Sequence, residues 1–313
     1  MDIPRPGPVL LPRLVGMTED SAPRIGELLR RGERSFSFEF FPPKDEEGER
    51  ILWRSISELE PLRPTFVSVT YGAGGNTRDR TIAITGRIAR ETSLLPMAHL
   101  TCVGHTTEEI GGILVQLEDA GVRNVLALRG DPPGGPGTPW ESTEGGVEYA
   151  AELVEFIRSN AEGLCVGVAA FPEGHRDAEN VERDAAVMKA KHDAGAEFAV
   201  TEMVLRASDY FGLVERCRAI GVDFPIVPGI MPILNLNSMK RMVELSGREM
   251  PDETLARIMP LQDDPAAVRA EGIRIATELC DELLEGGAPG LHFYTLNRSK
   301  ATREIFEALK LAV

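Results

Sequence analysis

Eight short apolar runs punctuate the chain, at 35–40, 65–71, 96–101, 123–129, 164–171, 197–203, 224–230 and 290–295, with amphipathic stretches between them. Runs of this length bounded by Gly, Pro and Asp read as strands, and the stretches between them as helices. The joins repeat. Glu118-Asp119-Ala120-Gly121 leads into the run at 123–129, His192-Asp193-Ala194-Gly195 leads into that at 197–203, and Gly221 stands before that at 224–230. A glycine at such a point supplies a left-handed helix cap from which the next strand starts. Helix, glycine, strand is the rhythm of βα units on a parallel sheet, whose strands are apolar at consecutive positions because both faces are covered.

Eight such units predict a single (β/α)₈ barrel, with an open doubly wound sheet as the competing arrangement. The barrel is favoured by polar residues at the C-terminal ends of the runs: Glu39, Thr70, His99, Thr101, Arg129, Asp131, Glu202, Asn297 and Arg298. Barrel enzymes build their sites on that rim. The stretch at 237–288 is too long for one crossover helix and predicts two or three helices before the eighth strand. Residues 1–17, with four prolines, read as an N-terminal arm, followed by a helix near 18–32 within a single catalytic domain over 18–313.

Composition narrows the partners. Of the 313 residues 42% are hydrophobic and 27% charged, enough for a large core, and the net charge of −15 disfavours a nucleic-acid partner. No run approaches the roughly 18 apolar residues of a membrane span, and the N-terminus lacks a signal-peptide layout, so a cytoplasmic protein without a membrane partner is expected. Cys102, Cys165, Cys217 and Cys280 are widely spaced in apolar surroundings and read as buried thiols. Cys102 and His105 have a ligand-like separation but no second pair, so no metal is expected.

Three rim segments carry candidate chemistry. In Ser35-Phe36-Ser37-Phe38-Glu39-Phe40-Phe41-Pro42-Pro43, a carboxylate among aromatics is buried or faces a cleft. Desolvation there raises its pKa towards that of a general acid, the alternative being a structural Glu bonded to backbone or Arg. The glycine-rich 70–77 segment is a phosphate cradle or simply a turn. In Leu128-Arg129-Gly130-Asp131, opposite charges flank a backbone-exposing glycine, as a ligand site or as a structural Arg–Asp pair.

Taken together, Ser-Phe-Glu-Phe-Phe-Pro-Pro at 37–43, Val-Ser-Val-Thr-Tyr-Gly-Ala at 67–73, His-Leu-Thr at 99–101, Leu-Arg-Gly-Asp-Pro-Pro at 128–133 and His-Phe-Tyr-Thr-Leu-Asn-Arg at 292–298 resemble the methylenetetrahydrofolate reductase family, in its short bacterial form. The resemblance spans about residues 30 to 310. It implies non-covalent FAD, NADH or NADPH as donor, and reduction of 5,10-methylenetetrahydrofolate to 5-methyltetrahydrofolate for methionine synthesis. It also admits a homo-oligomer. By matched position, Glu39 resembles the family's general acid and Asp131 the carboxylate that stabilises the developing cation. The implied flavin contacts are Thr70, Tyr71, Ala73, His99, Arg129, Gly130, Asp131, Tyr149, Ala150, Phe171, His175, Ala178, Asp184 and Lys191, with Arg129 and Lys191 offsetting the pyrophosphate charge. The implied folate-facing residues are Glu39, Asp131, Glu202, Ser238 and Arg298.

The chain also departs from the family. Phe171 stands where a Tyr is common, Val187 and Ala190 where Asn and Arg are common, and Glu202 where a pterin-facing Gln is usual. Ser238 and Met242 replace larger amide and aromatic residues. The lost flavin contacts keep direct hydride transfer from NAD(P)H to the folate open, and a non-catalytic folate- or flavin-binding barrel would require loss of the acid, whereas Glu39 and Asp131 are both present.

Overall fold

The computed structural model describes residues 23–311 apart from 72–76, 133, 135–137 and 139. Its eight parallel strands close in sequence order, β8 pairing back onto β1. The strands are β1 (Ser35–Phe40), β2 (Phe66–Val69), β3 (Pro96–Thr101), β4 (Asn124–Leu128), β5 (Cys165–Ala170), β6 (Phe198–Met203), β7 (Ile226–Ile230) and β8 (Gly290–Tyr294). Each lies within its predicted run, so the closed barrel replaces the open sheet. Gly121, Gly195 and Gly221 have φ of +84°, +105° and +78°, as the helix-to-strand caps require.

The barrel wall separates two apolar layers. Phe38, Phe40, Val67, Val69, Leu291 and Phe293 point outwards into the helical ring. Phe66, Met97, Leu126, Phe198, Val200 and Val227 fill the interior. Side chains alternate across a strand, so on β1 the outward Phe36, Phe38 and Phe40 leave Ser35, Ser37 and Glu39 facing the barrel axis. The interior is closed at the N-terminal end by α1 (Ile25–Arg30), whose Ile25 and Leu29 join the inner layer. The Ile25 N–H donates to Asn124 Oδ1 at 2.9 Å, and Arg24 pairs with Glu197 at 2.6 Å. Helix α1 is shorter than the predicted 18–32 segment, whose first residues, like the arm at 1–17, lie outside the described residues.

Between β7 and β8 come three helices, α8 (Leu236–Ser246), α9 (Asp252–Ile258) and α10 (Pro265–Glu285). They enclose a small core of Ile233, Met239, Met250, Ile258 and Val268. Among the described residues, no helix is long and apolar enough to cross a membrane.

Candidate active site

At the C-terminal mouth, Glu39 is buried and all the polar contacts converge on one of its oxygens. Oε2 lies 3.2 Å from His99 Nε2 and 3.3 Å from His292 Nε2, and it accepts from Ser68 Oγ at 3.2 Å. His99 reaches ion-pair distance, but its Nε2 lacks the alignment of a hydrogen bond. Behind His292, Ser37 Oγ sits 2.8 Å from Nδ1, and the ring stacks on Phe66. The backbone of Glu39 is pinned as well, its carbonyl accepting from Thr295 Oγ1 at 2.6 Å.

This cluster corrects the expectation for Glu39. Burial does push the carboxyl pKa up, but the charges of His99 and His292 and the hydrogen bond from His292 outweigh it, and the pKa falls to about 2. Glu39 is therefore an ionised carboxylate set between two imidazoles, and a transferable proton belongs to the cluster rather than to an isolated neutral acid.

Glu202, at the end of β6, is open to solvent through the mouth while protein atoms crowd its carboxylate. That enclosure pushes its pKa up; the Met203 N–H opposes the rise, and the Glu39 and Asp131 charges add to it. The two faces of the mouth are thus electrically linked, with Asp131 exposed beside Gly130. Gly130 has φ of +84°, and a Cβ there would lie 2.5 Å from Val103 Cγ1 and 2.9 Å from Thr101 Cβ, so only glycine fits. Arg129 does not pair with Asp131 as a structural couple. It turns to Asp177, 3.2 Å away, and stacks over Trp140 at 5.0 Å.

Other expected flavin contacts fall into two groups. Thr70, Tyr149 and Ala150 lie at the C-terminal ends of β2 and β4 or on the segments that follow, and His175 and Ala178 line a cleft of about 390 Å³ between the β5–α6 loop and the end of α8. Phe171 meets His175 edge-on at 4.6 Å. Tyr71 and Lys191, by contrast, are turned inward. The Tyr71 hydroxyl pairs with His105 Nε2 at 3.0 Å in the outer core, which also removes His105 from any ligand pair with Cys102, whose thiol donates to the Arg129 carbonyl. On α6 (Val181–Asp193), buried Lys191 donates to the Ala169 carbonyl at 2.8 Å, and burial lowers its pKa to about 8 despite nearby Asp184, itself buried. The exposed positions of α6 include Val187 and Ala190. Ala73 lies outside the described residues.

Of the folate-facing candidates, Ser238 spends its hydroxyl on the Asn235 carbonyl at 2.8 Å in the cap of α8. Arg298 is exposed at the start of α11 (Ser299–Ala308), without an ion pair among the described residues. Its neighbour Asn297 has φ of +56° and clamps Phe41 at both ends, Oδ1 accepting from the N–H and Nδ2 donating to the carbonyl, each at 2.8 Å. Sequence reasoning singled out neither His292, Ser37, Ser68 nor Tyr294. Their signal was the alternation of polar and aromatic residues in β1 and β8. A second cleft, about 500 Å³, lies at the opposite end of the barrel between Arg30, Tyr210, Arg218 and Asp223. There Arg218 and Tyr210 already bond backbone carbonyls, so it offers little free chemistry.

Comparison with known proteins identifies the family. The family model for methylenetetrahydrofolate reductase matches residues 24–310. The chain is 37% identical over 279 residues to 5,10-methylenetetrahydrofolate reductase of Escherichia coli, covering 89% of this chain and 92% of that protein. It is 39% identical over 298 residues to methylenetetrahydrofolate reductase (NADH) 1 of Arabidopsis thaliana, covering 92% of this chain but half of the plant protein. The chain thus spans about half the length of the plant relative. Among solved structures, an uncharacterised Clostridium thermocellum protein that binds two copies of 5-methyl-5,6,7,8-tetrahydrofolic acid superposes with a TM-score of 0.61 at 12% identity, over 92% of this chain and 98% of that one, a likeness of fold. With nearly its whole described barrel matched by the family model and a bacterial relative aligned almost end to end, the chain belongs to the methylenetetrahydrofolate reductase family.

Proposed function

We propose that this chain reduces 5,10-methylenetetrahydrofolate to 5-methyltetrahydrofolate, using FAD and a nicotinamide dinucleotide. The observation that carries the reading is the Glu39 carboxylate fixed between His99 and His292 at the mouth of a family barrel. The rim suits a flavin: Gly130 leaves its backbone bare, and the buried Thr101 Oγ1 beside it has no hydrogen-bond partner among the described residues. Arg129 would offset the pyrophosphate charge, and the cleft at His175 and Ala178 would take the adenosine half. The chemistry FAD supplies when bound is hydride storage between the nicotinamide and the folate methylene carbon.

The protein's own part is to move a proton and to balance charge. The Glu39 cluster delivers a proton to N10 of the folate, so that the C–N bond breaks and the ring opens to the N5 iminium. Asp131 and Glu39 stabilise the cation. Glu202 meets the pterin edge in its protonated form, donating as an amide would. Purified protein with a flavin absorbance spectrum, bleached by NADH or NADPH and recoloured by methylenetetrahydrofolate, would support each half of this cycle. Colourless protein that oxidises NAD(P)H only when folate is present would instead establish direct hydride transfer, a reading favoured by the apolar Val187 and Ala190 on the open face of α6.

A further inference from the structure

The β6–β7 ladder is irregular at one place. Val200 pairs with Val227 and Met203 with Gly229, so three steps on β6 answer two on β7 and Thr201–Glu202 form a bulge. A bulge removes backbone groups from the ladder, and here each finds a substitute. The Gly229 N–H donates to Thr201 Oγ1 at 2.9 Å, and that hydroxyl donates to the Glu202 carbonyl at 2.6 Å. The Thr201 carbonyl accepts from the Tyr294 hydroxyl at 2.6 Å. Tyr294 belongs to β8, so its ring must cross β7 to get there. It crosses at Gly229: a Cβ on that residue would lie 2.7 Å from Tyr294 Cε2, 2.8 Å from its hydroxyl and 2.5 Å from the Thr201 carbonyl oxygen. Burial, reinforced by the Glu202 and Glu39 charges, pushes the Tyr294 pKa well up, so the phenol stays a donor across the working pH range.

We propose that Tyr294 is a positioning residue for Glu202: its hydroxyl, reaching over the bare backbone of Gly229, holds the carbonyl that the bulge frees and so fixes the direction in which the Glu202 carboxylate enters the folate cleft. The inference rests on the reading of Glu202 as folate-facing. It makes Tyr294 and Gly229 a matched pair, since a side chain on β7 would displace the ring.

The test is a double-mutant cycle on binding of 5-methyltetrahydrofolate, read by titration calorimetry on the full chain. Tyr294→Phe should weaken binding on the order of fivefold, the loss of one buried hydrogen bond, and should do nothing further in a Glu202→Ala background. Gly229→Ala, which attacks the same contact from β7, should reproduce the weakening and its disappearance with Glu202→Ala. Equal losses in both backgrounds would overturn the proposal, because Tyr294 would then act without Glu202. If Glu202→Ala alone leaves affinity unchanged, the folate-facing reading of Glu202 fails. The crystal structure of Tyr294→Phe then decides the positioning claim by itself: a displaced Thr201 carbonyl and Glu202 carboxylate sustain it, and an unmoved bulge refutes it.

Discussion

His292 Nε2 stands 3.3 Å from Glu39 Oε2, and the same imidazole meets Ser37 at its other nitrogen. Ser37 and His292 are directly opposite in the β1–β8 ladder, and Glu39 is two residues on from Ser37 along the same face of β1. The barrel's closing seam is therefore what assembles the carboxylate–imidazole cluster.

Glu39→Gln should leave flavin bound and reducible by the nicotinamide while slowing reduction of the folate by about 10² or more, as loss of a proton-transfer group does. Stopped-flow absorbance separates the two half-reactions. Equal slowing of both would remove Glu39 from the proton-transfer role.

The same substitution has a pH signature in stability. The Glu39 pKa drops from the ordinary 4.5 to about 2 on folding, so its contribution is fully present above pH 4.5 and is lost as pH falls towards 2. The difference in unfolding free energy between the parent chain and Glu39→Gln should be flat above that window and should shift in favour of the variant below it. Urea denaturation at a series of pH values measures this, and a difference that does not change between pH 5 and 3 would contradict the low pKa.

Glu202 has its pKa raised by enclosure and by the charges of Glu39 and Asp131, against the Met203 N–H and His99, with the Tyr294 phenol nearby. Its donating, protonated form is lost as pH rises through that titration. Folate reduction should therefore lose rate on the alkaline side, with flavin reduction less affected, and Glu202→Gln should abolish the loss and tighten folate binding. Superimposable pH profiles for the two proteins would leave Glu202 as an acceptor only.

Lys191→Ala should lower flavin occupancy after dialysis. Its ammonium is buried against the Ala169 carbonyl, so the effect is expected through β5 and the Phe171 ring 6.0 Å away rather than through an open phosphate contact. Full occupancy after exhaustive dialysis would mean that Arg129 and backbone amides suffice.

Asn297→Gly keeps the left-handed backbone accessible but frees both ends of Phe41, and should cost about 1–3 kcal/mol for a partly buried hydrogen-bonded pair. Asn297→Ala should cost about 1–2 kcal/mol more, because alanine also pays for positive φ. Chemical denaturation ranks the two, and the reverse order would show that the left-handed backbone at 297 carries no net cost for alanine.

The sequence by itself determined the barrel. Eight apolar runs, spaced by helices and restarted after Gly121, Gly195 and Gly221, call for a parallel sheet covered on both faces, and their number with the polar strand ends favours the closure that the structure has. It also marked Glu39, His99 and Glu202 on the rim, because charge or imidazole at the end of an apolar strand is conspicuous. What it misread is what depends on partners far along the chain. The Glu39 pKa is set by His99 and His292, 60 and more residues away in sequence, and desolvation considered alone has the opposite sign. Lys191 and Tyr71 occupy rim-like places in the sequence, yet their side chains turn into the wall, Lys191 onto the Ala169 carbonyl and Tyr71 onto His105. His292 and Tyr294 were legible only as polar members of an alternating strand. Their roles were decided when closure of the barrel set β8 beside β1 and let a phenol cross a glycine to reach β6. Periodicity is a local property and survives in the sequence, whereas the electrostatics and aim of a site are sums over neighbours that only the closed tertiary structure brings together.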